Sequence, residues 1–280
     1  MTRLFKALRA SNGYLLLGGG ITLFFLIFAM IGQVWQPYDP LAIDLTSRFS
    51  PPSLLHLLGT DGFGRDTFSR MLDGSGKSLA LGFGATALAL GIGLPIALAV
   101  GYSGGWVDTL TMRLMDVFLS IPSLIFALIV VAGLGASHIN AILALGLAAA
   151  PKFVRIIRSA VLDASAEDYV TVARARGERA LYVQYREILP NIWPPIIVEG
   201  SINVGFALMA GAALSYLGLG TQPPAADWGA LIRDGQRAIN QSMWPLIGPS
   251  IMISSAIVGF NLFGEGLRDA VGKTGFGHHG

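Results

Sequence analysis

The sequence predicts an all-α membrane protein with six transmembrane helices and both termini in the cytoplasm. Three observations carry this: a deficit of charge, a series of long charge-free runs, and the placement of Lys and Arg between them. Of 280 residues, 53% are hydrophobic and 13% charged, and the mean hydropathy is +0.61. A soluble domain carries about a quarter charged residues, so this chain has too little polar surface to cover a globule in water. There are no cysteines, which excludes disulfides and thiolate metal sites and leaves the redox compartment unread. A net charge of +2 is too small to suggest nucleic acid.

Crossing the hydrocarbon takes about 20 apolar residues in a helix. The first charge-free run is Ser11 to Tyr38 and contains "YLLLGGGITLFFLIFAMIGQVW". It exceeds the apolar core of a signal peptide and no A-x-A-like site follows, so it reads as an uncleaved span over 14–36. Ser78 to Val107 is the second run. Val117 to Pro151 is longer than one helix needs and is broken by "GLGASHIN", which splits it into two antiparallel helices. Gly200 to Ala226 and Ala238 to Gly264 supply the fifth and sixth. Glycine-rich texture within the runs suits close helix packing; Pro95, Pro122 and the glycine pairs would also permit bending.

Arg3, Lys6 and Arg9 precede the first span, and Lys152, Arg155, Arg158, Arg174, Arg176, Arg179 and Arg186 fall between the fourth and fifth. Cytoplasmic loops carry the Lys/Arg excess. Hence the N-terminal segment 1–13, the 152–191 connection and the tail 272–280 are assigned to the cytoplasm, and 37–77 to the outside. The core of five further helices occupies 78–271.

"DGSGKS", Asp73 to Ser78, resembles the end of a phosphate-binding loop, but Met71 stands where the first glycine belongs and no strand precedes it. ATP binding there is rejected. An intramembrane protease fares no better: Ser137 and His138 are adjacent on a turn, and no second His lies in any span. The His278–His279 pair is too small a set for a metal cage. A gradient-driven secondary transporter or channel subunit would call for midplane carboxylates or an inverted repeat, and neither is present. Asp116 and Glu199 sit near span ends, where pairing (Asp116 with Arg113, for instance) is cheap. Asn203, Ser215 and Asn261 are the polar candidates for a substrate pathway.

The connection "SAVLDASAEDYVTVARARGERALYVQYREILPN", Ser159 to Asn191, is long for a compact bundle. Alanines at 164, 166, 173 and 175 favour helix, Gly177 can end it in the left-handed conformation, and Pro190 closes a second helical stretch carrying Leu181, Tyr185 and Ile188 near one face. A small-residue face and an arginine face would suit docking on another protein. The segment resembles the cytoplasmic loop of ABC importer permeases, whose pattern is E-A-A, three residues, G, nine residues, I-x-L-P. Gly177, Leu189-Pro190 and Ala173 fall at the right places; Thr171, Val172 and Glu187 depart from the pattern.

Five blocks, one of them within this loop, are similar to the dipeptide/oligopeptide/nickel branch of that family, and within it to the second of the two permease subunits. They are "HLLGTDGFGRDTFSRMLDGSGKSLALG", "DVFLSIPSLIFAL", "DYVTVARARG", "LSYLGLGTQPPAADWGALI" and "FNLFGEGLRDAV". The resemblance implies the type I ABC importer permease fold in a bacterial inner membrane. It also implies a non-catalytic subunit that forms half of a translocation pathway with a second homologous permease. Two cytoplasmic ATPase subunits would carry ATP and magnesium, so this chain itself would bind no cofactor. A periplasmic or lipid-anchored solute-binding protein would deliver the cargo, landing on 37–77 or 219–242. In that second segment "WGALIRDGQRAI" reads as an interfacial helix with Trp228 at the headgroups, or as a seal of the outer mouth. Coupling is expected through 160–190, at Asp168, Tyr169, Ala173, Arg174, Arg176 and Gly177, with Leu189 and Pro190 anchoring the loop. Solutes of the branch include peptides, nickel, glutathione-like molecules and sugars or opines, and its commonest cargo is peptide.

Overall fold

The computed structural model describes residues 13–275; Arg3, Lys6, Arg9, His278 and His279 lie outside the described residues. No strand occurs among the described residues, and the chain is a bundle of nine helices there. They are α1 (Gly13–Val34), α2 (Thr67–Ser103), α3 (Gly105–Leu119), α4 (Ser123–Leu134), α5 (His138–Ser165), α6 (Asp168–Ala175), α7 (Ala180–Tyr216, irregular in its first turns), α8 (Trp228–Arg237) and α9 (Trp244–Gly275). Helices α1, α2, α5, α7 and α9 are each long and apolar enough to cross a bilayer.

The third predicted span is broken. α3 and α4 meet at 83°, because Pro122 cannot continue a helix and instead opens α4. With 12 residues, α4 reaches about 18 Å, short of the roughly 30 Å of hydrocarbon. Only the two together are long and apolar enough to supply a sixth crossing.

α2 starts at Thr67, well before the charge-free run, because Asp66 caps it: its carboxylate accepts from the Ser69 N–H at 2.7 Å and the Ser69 hydroxyl at 2.7 Å. "DGSGKS" is therefore helical, with Lys77 Nζ 2.6 Å from Asp73 on the same helix, and forms no phosphate loop. Ahead of it the 37–66 segment is tied down by Asp61, which receives the Arg65 and Arg70 guanidinium groups at 2.8 and 2.7 Å.

α1 packs on α9 and α2. A Cβ on Gly18 would sit 2.2 Å from the Phe263 backbone nitrogen, so only glycine lets these helices meet. Three apolar clusters fill the bundle. One, around Phe153, Ile157, Ile188 and Ile196, joins α2, α5, α6 and α7. A second, around Phe25, Trp228 and Phe260, joins α1, α8 and α9. The third, around Ala85, Val131 and Leu214, seats α4 against α2, α5 and α7.

Trp228 of α8 does not reach out to the headgroups. Trp228 is fully buried, its Nε1–H donates to the Met71 carbonyl at 3.1 Å and its backbone N–H to Ser78 Oγ at 3.0 Å. The indole stacks edge-on against Phe25. Burying the amphipathic indole inside is possible because its single donor is satisfied there.

Candidate coupling surface

The 152–191 connection is shorter in space than in sequence, because α5 absorbs its first part and α7 its last. What remains is α6 and a turn on either side. Asp168 lies in the first turn of α6 and Arg174 in the last, each favourable to the helix dipole. Val170 and Ala173, at i and i+3, are fully buried against Phe153, Ile157, Val183 and Ile188. Ala173 therefore faces the body of the chain, and a docking partner would meet the opposite side of α6.

The end of α6 is a Schellman motif. The Gly177 N–H donates to the Arg174 carbonyl at 2.9 Å and the Glu178 N–H to the Ala173 carbonyl at 3.3 Å, with Gly177 at φ +79°. A Cβ there would touch nothing within 4 Å, so glycine is required by conformation rather than by space. The Arg174 guanidinium stacks 4.5 Å over the ring of Tyr102 at the end of α2, and Arg176 lies 3.5 Å from Glu187 on α7. Tyr169 is half-buried in a notch of about 370 Å³ with Asp163, Glu167 and Asn191. Burial, and then the Glu167 charge, push its phenol above the ordinary tyrosine value.

α7 does not stop at Pro190. Val183–Ile188 is a π-helical stretch, and the wider turn accommodates the ring of Pro190, which would clash with a carbonyl one α-turn back. The helix continues through Pro194 and Pro195 to Tyr216. The wider turn also separates residues expected on one face: Ile188 is fully buried, whereas Leu181 and Tyr185 are exposed. Leu189 packs against the inner cluster. The outward surface combines Val172 (55% exposed) and Leu181 (69%) with Tyr182 and Tyr185, bordered by the exposed Arg174, Arg176, Arg179 and Arg186. Exposed Tyr and Arg are the residues enriched in protein-binding hot spots.

The three pathway candidates do not converge. Asn203 is buried and donates to Thr86 Oγ1 at 2.9 Å, bonding α7 to α2. Ser215 is buried near the far end of α7 and donates to Asp227 Oδ2 at 2.6 Å, where Thr221 also donates at 2.6 Å; Asp227 caps α8 through the Ala230 N–H. Asn261 donates to the Ile257 carbonyl one turn back in its own helix. Asp116 pairs with Arg155 of α5 rather than with Arg113, and Glu199 pairs with Lys152 at 2.5 Å. Sequence reading missed the inward Val170 and the Arg174–Tyr102 contact. The i, i+3 apolar spacing of Val170 and Ala173 is the signal that carries the first; nothing local carries the second.

Residues 91–274 match the family described as binding-protein-dependent transport system inner membrane component. The chain belongs to that family. The permease is 39% identical over 245 residues to the probable D,D-dipeptide transport system permease protein DdpC of Escherichia coli, covering 87% of this chain and 82% of that one. It is 36% identical over 267 residues to the dipeptide transport system permease protein DppC of Alkalihalophilus pseudofirmus, covering 95% and 88%. With the Escherichia coli DppC the identity is 40% over 258 residues, covering 90% and 85%. Its fold matches a chain of the inward-facing MetNI methionine ABC transporter with a TM-score of 0.58 at 17% identity, over 71% of the permease and 95% of that chain. Over the matched part the fold is thus that of a type I importer permease, with five helices long enough to cross and the bent α3–α4 pair as a candidate for a sixth crossing.

Proposed function

We propose that this permease is the non-catalytic half-channel of an ATP-driven peptide importer, coupled to its ATPase subunits through α6 and the first turns of α7. The named relatives carry dipeptides, which supports peptide as the cargo. The observation that carries the coupling is the two-sidedness of α6 and the start of α7: Val170 and Ala173 lock α6 to the bundle core, while Val172 of α6, Leu181 of α7 and the neighbouring arginines stay uncovered. A surface built this way transmits a push to the spans instead of absorbing it, and nucleotide enters through contacts that differ between states. The second permease would complete the pathway as a heterodimer, two cytoplasmic ATPases would hold ATP and magnesium, and a solute-binding protein would deliver cargo from outside. On this reading the termini and α6 face the cytoplasm.

Leu181→Asp in the complete reconstituted complex tests it. ATP hydrolysis should persist while peptide uptake falls at least tenfold. Uptake by the permease alone without nucleotide would replace this reading with a gradient-driven carrier or channel subunit, and normal coupled uptake with the altered surface would remove the coupling role from that surface.

A further inference from the structure

The free face of α5 changes character along its length. From the His138 end it presents Ile139, Leu143 and Leu147, and then Lys152, Arg155 and Ser159. At 1.5 Å per residue Lys152 lies about 21 Å and Arg155 about 26 Å from His138; with His138 at the outer edge of the roughly 30 Å of hydrocarbon, both fall in its inner part, deeper than the cytoplasmic connection to which the sequence assigned them. Each base is paired with an acid from a different helix, Lys152 with Glu199 of α7 and Arg155 with Asp116 of α3. The Lys152, Arg155 and Asp116 side chains are 49%, 56% and 58% exposed, whereas Glu199 is only 7% exposed. One turn further on, Arg158 and Asp108 form a third pair across the same α3–α5 seam, and it is largely covered. The seam can therefore seal a charge pair, and at Arg155–Asp116 it does not.

A lysine or arginine facing lipid can extend its stem to the headgroups. Asp116 has no such reach, and although it pairs with Arg155 its side chain stays 58% exposed; a carboxylate uncovered in hydrocarbon is expensive unless it meets water or protein. Charges of both signs alternating along one open strip also match a small zwitterion, whose carboxylate and ammonium ends each find an opposite charge.

We propose that Lys152, Arg155 and Asp116 line the water-filled inner part of the translocation path and form a two-signed subsite for zwitterionic cargo, with the buried Glu199 holding Lys152 from behind. Lys152 and Arg155 face the carboxylate, and Asp116 the ammonium. This rests on the transport reading but fails separately from it, since nucleotide dependence of uptake says nothing about where these side chains point.

The chain has no cysteine, so single variants Lys152→Cys and Arg155→Cys in the complete complex in inside-out vesicles can be labelled selectively. A charged, membrane-impermeant thiosulfonate should modify both at least tenfold faster than Leu147→Cys on the same face. Labelling by a membrane-permeant maleimide alone would place the strip against lipid. Resistance to both reagents in the complex would bury it against the second permease. Either result overturns the proposal. In the second arm, the Lys152→Gln/Arg155→Gln double variant should lower the ratio of free-carboxylate to C-amidated dipeptide uptake about tenfold, the loss of one charge-assisted contact. The Lys152→Arg/Arg155→Lys variant should restore it. The binding protein is the same throughout, so a changed ratio belongs to the path, and an unchanged ratio with full labelling overturns the subsite.

Discussion

Gly177→Ala isolates the backbone from everything else at the coupling surface. The residue holds φ +79°, and an added Cβ meets nothing within 4 Å, so the substitution creates no clash and removes no contact. What remains is the left-handed conformation, which disfavours an L-residue by about 1–2 kcal/mol. That shifts the closed-to-open ratio of the local motif by a factor of roughly 5–30. The two amides that close the motif, Gly177 N–H on Arg174 and Glu178 N–H on Ala173, report it directly. Hydrogen exchange on the nanodisc complex should show those positions losing protection by that factor, with the α7 amides after Leu189 unchanged. Gly177→Asn should lose clearly less, because asparagine enters this region readily, and Gly177→Val should lose more. Equal losses for Asn and Val would refute the conformational account and require a contact at residue 177.

Ala173→Leu forces a larger side chain into a fully buried site and should destabilise the connection by about 1–3 kcal/mol, lowering the thermal midpoint of the purified permease and detaching α6. Trp228→Phe keeps most of the buried volume but abandons the bond to the Met71 carbonyl; the expected loss is about 1–3 kcal/mol, read as a lower midpoint with coupling intact. Asp227→Asn cannot accept on both sides from Ser215, Thr221 and the Ala230 N–H, and should fray the start of α8, seen as faster amide exchange at Trp228–Leu231. The raised Tyr169 phenol means that the folded connection holds its proton where the unfolded chain has released it. Stability is therefore fully present below the ordinary tyrosine value and is lost as pH rises above it. Alkaline difference spectra of the parent against Tyr169→Phe should show a phenol ionising above pH 10.

The spans were legible because lipid imposes one rule, uninterrupted apolar length, that a single sequence displays. Gly177 was legible for a similar reason, since a glycine after a run of helix formers has few other uses. The face of α6 was not. Ala173 and the arginines mark two sides of the helix, but which side turns inward depends on the cluster formed by Phe153, Val183 and Ile188, and that cluster exists only once α5 and α7 are placed. Trp228 misled for a related reason: at the edge of an apolar run a tryptophan reads as a headgroup anchor, and only the Met71 carbonyl explains its burial. Charge runs marked where α2 and α7 become apolar, not where they begin, because Asp66 and the π stretch start them earlier in polar sequence. The ion partners Arg155–Asp116 and Lys152–Glu199 lie far apart in the chain and left no local trace.

The unbroken course of α7 gives the molecule a mechanical element. Its 37 residues span about 55 Å, and its prolines cluster at 190, 194 and 195, toward one end. Those positions divide it into a short arm of roughly 15–20 Å bearing Leu181 and Tyr185 and a long arm of about 30 Å ending near Ser215. If the proline cluster acts as the fulcrum, a displacement of the short arm is enlarged up to about twofold at the tip, by leverage alone. The tip meets Asp227, so the cap of α8 sits where that travel is greatest.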